Sequence, residues 1–498
     1  MATTSMKMHH TPCFPSWLHI LGPMGPRVKK TFQEVRQLTL NGLEERCRQY
    51  LPADLFATFK TGSQAQWRER IFSLERTLFC WIWQMLQLNT ACREVVRQVQ
   101  ALFALQGGSR VDESTGAYCQ ARRRLPKDLI QKAFNAAVRA ATQRAPELAL
   151  LQGRRLKAVD GTGFRSPDTP ENQKLYPQPS NQKPGCGFPV LRVVALFCVA
   201  SGAVLSYATG SLAHPELGLF YGLFAQLNKG EIVIGDRAFG NFVAVALLSS
   251  IGIDFIGRVP TRVRKVDFRR GKPLGSQDAL FTWSKGPHLA QWLPKSSWEK
   301  LDQALTVRVL RLSLRHKGLR VRQITLVTTL LDATLYPKEE ILAAYLQRWS
   351  MELCLRDLKA TLGLAHLKCQ CPAMLEKELQ IGLLMHNLLR CVMAEAAHTH
   401  GVELARISFK GCLDALRQFS AAMAQARSAK KRRQLWQTLL ESLVEDLVPS
   451  RPGRREPRAV KRRPKYPRLT KHRRQYVDRW SRTKRRRVSR AKRNHALI

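Results

Sequence analysis

Three acids in this sequence stand where chemistry could be done. Asp160 closes the apolar run RLKAVD (155–160), and Asp236 closes EIVIGD (231–236). An Asp at the end of a strand is most often a turn residue. Two of them in one sheet can also converge at its carboxyl edge, where α/β sheets place their ligands. The third acid, Glu352, shares a helical stretch with Tyr345, Arg348 and Lys359. At about 100° per residue these four fall within about 60° of one another. Leu342, Leu346, Trp349 and Leu353 fall outside that arc, so the polar stripe is no core pattern; a solvated salt-bridge face is the plain alternative. The chemistry such a set fits is phosphodiester hydrolysis, in which two divalent ions clamp the attacking and leaving oxygens. Magnesium asks only for a few carboxylate oxygens and keeps several waters. Cations beside the acids would grip flanking phosphates.

The elements that must hold these residues are legible along the chain. Apolar spacing of three and four predicts helices through 28–105, with a break at Asn89–Thr90, and another helix over 127–144. From Arg155 the texture turns to strands. RLKAVD precedes a Pro-, Asn-, Gln- and Gly-rich loop from Gly163 to Phe188, and Val190–Val199 with Val204–Ala208 reads as a hairpin. Helix and strand then alternate through 214–259, which predicts an α/β sheet of mixed pairing. Residues 306–331 form a second hairpin around HKG (316–318), with one basic face and Trp283, Trp292 and Trp298 just before it. A single helix is expected from Pro337 to about Leu362, stopped by Gly363, followed by helices near 372–398, 409–428 and 430–447.

Composition narrows the class. The 498 residues carry 82 Lys plus Arg against 37 Asp plus Glu, a net +45, with 44% apolar residues. That excludes a fibrous or wholly disordered chain and makes a polyanion the expected partner. The last 48 residues alone hold 21 Lys or Arg and two acids, Glu456 and Asp478, so the tail is expected to stay extended until it meets phosphates. Twelve cysteines without a C-x-x-C pair suggest reduced thiols. Cys369 and Cys371 lack the second pair that a zinc site needs. No signal peptide is recognised, and the longest apolar run, Val193–Leu205, is shorter than a bilayer span. A soluble, cytoplasmic, nucleoid-associated protein is expected.

Asp160 in DGT, Asp236 in IGDRAFGNF and the Tyr345–Arg348–Glu352–Lys359 set resemble the insertion-sequence DDE transposases with the Tyr-Arg-Glu-Lys signature. DTPENQKLYP (168–177), RWSMELCLRDLKATLGL (348–364) and LMHNLLR (384–390) are also similar to that family. The resemblance implies a ribonuclease-H-like α/β core with a mixed sheet, a β-rich insertion, and helical flanks. It divides the chain into a helical, end-binding unit (1–150), a first core segment (151–260), an insertion (261–330), a second core segment with Glu352 (331–400), a helical region (401–450) and a disordered basic tail (451–498). It implies metal-dependent cleavage at element ends and transfer of the 3′-hydroxyl into target DNA. Asp160, Asp236 and Glu352 would be catalytic and hold two magnesium or manganese ions. Tyr345, Arg348 and Lys359 would bind DNA phosphates, and Thr162 would be an accessory residue. The implied partners are double-stranded DNA, as terminal repeats and target, and a second protomer or more in a synaptic complex. A catalytically inactive DNA-binding regulator that keeps the fold is the alternative.

Overall fold

In a computed structural model of the protein, the described residues are 47, 49–57, 59, 71–105, 111–144, 150–259, 266–313, 323–426, 428–449 and 466–475. The expected helices before residue 47, the HKG turn and most of the tail lie outside them.

Among the described residues, the helices with defined bounds ahead of the sheet are α1 (Leu74–Leu86), α2 (Cys92–Leu105), α3 (Gly116–Arg124) and α4 (Lys127–Gln143). Ser73 caps α1 by accepting from the Arg76 N–H at 3.2 Å. The expected break falls at Asn89, which takes a left-handed backbone (φ 52). Its side-chain amide donates to Glu378 at 2.8 Å, tying this block to the helices beyond the sheet.

The sheet follows. Strands β1 (Leu150–Leu151) and β2 (Arg154–Arg165) lead into helix α5 (Pro170–Leu175), then β3 (Val190–Cys198) and β4 (Val204–Gly210). Helix α6 (Glu216–Tyr221), strand β5 (Ile232–Gly235), helix α7 (Phe242–Ser250) and strand β6 (Asp254–Arg258) alternate as the sequence suggests. Strands β7 (Lys272–Gly275), β8 (Asp278–Ser284), β9 (Ala304–Ser313) and β10 (Gln323–Thr328) complete it, with helix α8 (Lys295–Glu299) between β8 and β9. The order is β4-β3-β2-β5-β6-β10-β9-β8-β7, with β1 off the path against β2. An antiparallel meander joined to two parallel strands is the ribonuclease-H-like arrangement the sequence led us to expect. The second hairpin is not set apart from this core: β10 pairs antiparallel with β6, so the insertion prolongs the same sheet.

One sheet face packs on α1, α4 and the C-terminal helices, the other on α6 and α7. The C-terminal helices are α9 (Lys338–Leu346), α10 (Arg348–Arg356), α11 (Pro372–His400), α12 (Phe409–Gln425) and α13 (Ala429–Glu445). The buried α11 grips the β3–β4 connection through the LMHNLLR stretch. Asn387 accepts from the Val204 N–H and donates to its carbonyl, both at 2.9 Å, and His386 Nε2 lies 3.1 Å from the Gly202 carbonyl.

Two local expectations differ. Strand β2 does not stop at Asp160 but runs on to Arg165, pairing with β3 through both glycines. Those glycines act as clearances, not breakers. A methyl on Gly161 would stand 2.9 Å from the Glu216 carboxyl carbon, and one on Gly163 2.6 Å from the Tyr466 hydroxyl. The helix expected from Pro337 to Leu362 is also divided. It turns tightly at Gln347, whose carbonyl accepts from the Ser350 hydroxyl at 2.6 Å, and widens into a π turn over Asp357–Thr361. Gly363 ends it with φ 71, as anticipated.

Candidate active site

Strand pairing brings the first two acids level. In the parallel β2–β5 pair, Leu156 faces Ile232 and Ala158 faces Ile234. Carried on by two residues, that register sets Asp236 beside Asp160 at the carboxyl edge. Alternation along β2 turns Ala158, Asp160, Thr162 and Phe164 to one face, the face covered by α10. The third acid, Glu352, lies on α10.

The three carboxylates share a field, yet each is engaged locally. Asp160 Oδ1 accepts from the Gly161 N–H at 2.8 Å. Asp236 Oδ1 closes a turn by accepting from the Ala238 N–H at 2.7 Å. Glu352 Oε1 is paired with Arg348 at 2.9 Å, and its side chain is 59% exposed. Burial pushes the Asp160 carboxyl up to about 6; the Gly161 N–H and Arg348 oppose this, while the charges of Asp236 and Glu352 add to it. Among the described residues no three His, Cys, Asp or Glu side chains converge closely enough to hold a metal ion as they stand. The donor set nevertheless suits a hard divalent cation: each acid has one oxygen engaged in these bonds, all three ligands are oxygens, and a cation would relieve the crowding that raises Asp160.

The remaining signature residues divide into two groups. Tyr345 and Arg348 stay with Glu352, the guanidinium lying 5.8 Å from the Tyr345 ring centroid. Tyr345 is 1% exposed, so it sits beneath the surface where a phosphate contact was expected. Its hydroxyl and Arg348 Nε are buried without hydrogen-bond partners. Lys359 leaves the stripe because the π turn shifts it. It donates to Thr162 Oγ1 at 2.9 Å and lies 5.6 Å from the Phe164 ring centroid. Thr162 of β2 and Lys359 of the π turn are therefore joined. Trp349 and Leu353, expected off the polar stripe as ordinary apolar positions, are 44% and 49% exposed on α10 beside Glu352.

Several supporting residues gave no signal in the sequence. Asp357, inside the π turn, is buried with Arg390 of α11 at 3.5 Å and Arg356 at 3.7 Å. Past the turn, Arg165 exchanges backbone bonds with Ala365 and Leu367 at 3.2 and 2.8 Å, fastening the end of β2 to the end of the helix. Glu216 lies over Gly161 on the opposite sheet face, with Arg192 at 3.7 Å. An acid next to HP (214–215) reads as a helix start, which it is.

The chain is also similar to known proteins. Residues 151–388 match the transposase DDE domain family, a span that contains all seven residues Asp160, Thr162, Asp236, Tyr345, Arg348, Glu352 and Lys359. The transposase InsG of insertion sequence IS4 from Escherichia coli is 25% identical over 405 residues, covering 80% of this chain and 88% of that one. Among solved structures, a piggyBac transposase synaptic complex with hairpin DNA overlaps 83% of this chain and 85% of its own at 10% identity and TM-score 0.37. No helix among the described residues is long and apolar enough to cross a membrane. Residues 151–388 thus match the transposase DDE domain family, in a chain similar along most of its length to an insertion-sequence transposase.

Proposed function

We propose that this chain is a transposase of the Tyr-Arg-Glu-Lys group that cleaves DNA at the ends of an insertion sequence and transfers the released 3′-hydroxyl into target DNA. The observation that carries this reading is the β2–β5 register, which brings Asp160 level with Asp236 beneath the helix bearing Glu352. Asp160, Asp236 and Glu352 would hold two magnesium or manganese ions. Those ions would supply Lewis-acid activation of water or hydroxyl and charge neutralisation at the phosphate.

The chain's own residues supply the rest. Arg348 balances Glu352 and faces Asp160, so it can take a phosphate oxygen once Glu352 turns inward. Tyr345 supports that guanidinium from below with its ring. Lys359, held by Thr162, offers a cation farther along β2. The substrates on this reading are double-stranded terminal repeats and target DNA, with two or more protomers pairing the ends.

Purified protein incubated with its own flanking DNA ends should nick them with magnesium and not with chelator. Asp160→Asn and Glu352→Gln should bind ends normally and cut none. Full cleavage by either variant would falsify the assignment.

A further inference from the structure

Within the basic tail, residues 466–475 are seated on the 166–189 loop. The seat is built on side chains and backbone between Tyr466 and Arg473. Tyr466 covers Gly163 of β2, and its carbonyl accepts from Gln182 at 2.8 Å. Arg468 pairs by a backbone bridge with Gly187, and the Leu469 N–H donates to the Cys186 carbonyl at 2.6 Å. The His472 ring fills the space where a Gly185 side chain would be. Arg473 gathers the loop, reaching Asp168 at 3.0 Å, the Gly187 carbonyl at 2.6 Å and Gln178 at 3.3 Å.

Three cationic side chains of the segment are left to solvent. Arg468, Lys471 and Arg474 recur every third position, are exposed, and form no ion pair among the described residues. The segment is thus a strap with an anchoring side and a cationic side, running from Gly163, next to Thr162, along the loop that leaves β2. Three outward cations at this spacing on an anchored backbone match the chemistry of a DNA phosphate strand.

We propose that this strap is a DNA-backbone-binding surface, fixed beside the acid-bearing strand by Tyr466, Leu469, His472 and Arg473, with Arg468, Lys471 and Arg474 as its phosphate contacts. The proposal rests on the functional reading above for its substrate. It is tested without cleavage, by binding of an end-containing duplex in chelator across a salt series. At about 0.9 in log–log slope per neutralised phosphate, the triple change Arg468→Gln, Lys471→Gln, Arg474→Gln should flatten the slope by about 2.7.

Position is tested with all charges kept. Gly163→Ala pushes its methyl against the Tyr466 hydroxyl at 2.6 Å and should lift the strap. That variant should lose most of the same slope, with 466–475 becoming open to limited proteolysis. Adding Tyr466→Phe removes the clashing oxygen, so the double variant should regain both protection and slope. The proposal is overturned if the triple variant keeps the wild-type slope. It is equally overturned if Gly163→Ala exposes the strap to protease and binding is unchanged, or if protease cuts 466–475 equally fast in the wild type. A wild-type protein that binds ends with the expected slope but cuts none in magnesium would count against the catalytic reading alone.

Discussion

Asp160→Asn should make the metal-free protein more stable. The Asp160 carboxyl is raised from its ordinary 3.8 to about 6, first by burial and then by Asp236 and Glu352. At about 1.4 kcal/mol per tenfold, keeping it ionised at neutral pH costs the fold about 3 kcal/mol. Asparagine removes the charge and keeps the shape and the acceptor for the Gly161 N–H, but its amide is still desolvated. A net gain of about 1–2 kcal/mol is expected, or about 1–2 °C in thermal denaturation. The sign with pH follows from linkage. A group whose folded value is raised contributes stability that is full below its unfolded value and lost as pH rises through its folded value. The wild type is therefore penalised fully above about pH 6 and hardly at all near pH 4. The variant's advantage should be complete at pH 7.5 and shrink steadily below 6. Thermal melts in chelator across that range decide it. Equal or lower stability of the variant at pH 7.5, or an advantage that persists unchanged to pH 4, would refute the electrostatic picture of the site. Magnesium should then raise the melting point of the wild type and leave the variant's largely unmoved.

Three further outcomes are expected. Asn387→Leu leaves the Val204 N–H and carbonyl buried without partners and should cost about 2–4 kcal/mol in denaturant unfolding, at about 1–3 kcal/mol per orphaned group; a loss under 1 kcal/mol would mean the turn finds other partners. Thr162→Val breaks the Lys359 bond and should reduce end cleavage, whereas Thr162→Ser, which keeps the hydroxyl, should not; equal loss in both would point to packing and not to the bond. Cys119 is exposed on α3, and its thiol is lowered to about 6, chiefly by a hydrogen bond from Cys92, with the Arg122 charge assisting. Alkylation followed by mass spectrometry should find it modified first, at a rate that levels off above about pH 7, where an ordinary thiol still gains reactivity up to about 8.5.

The acid strands were readable because an apolar run marks a strand without distant contacts, although the Asp that closes the run did not mark the end of β2, which continues to Arg165. The helix carrying Glu352 was readable in place and type but not in shape. Nothing in its spacing shows that Ser350 would capture the Gln347 carbonyl, or that Asp357 would be drawn under Arg390. The first is a local bond and the second a tertiary contact, and Lys359, within the π turn, meets Thr162 instead of the polar stripe. The exposure of Trp349 and Leu353 was equally hidden, because periodicity reports which residues share a face and not whether that face is covered. In the tail, charge density argued for an extended chain. The anchoring set of Tyr466, Leu469 and His472, one apolar or aromatic residue every third position within a basic run, was the signal available.

The direct pairing of β10 on β6 has a mechanical consequence. Asp236 follows β5, β5 lies against β6, and β6 is laced to the outer strands without a gap. The outer strands and the acid edge therefore behave as one stiff plate, since a hydrogen-bonded ladder bends only as a whole. A duplex leaning on the far rim near β7 and β8 would transmit its push through four successive ladders to the spot where Asp236 stands. Binding far from the acids could in this way tilt them.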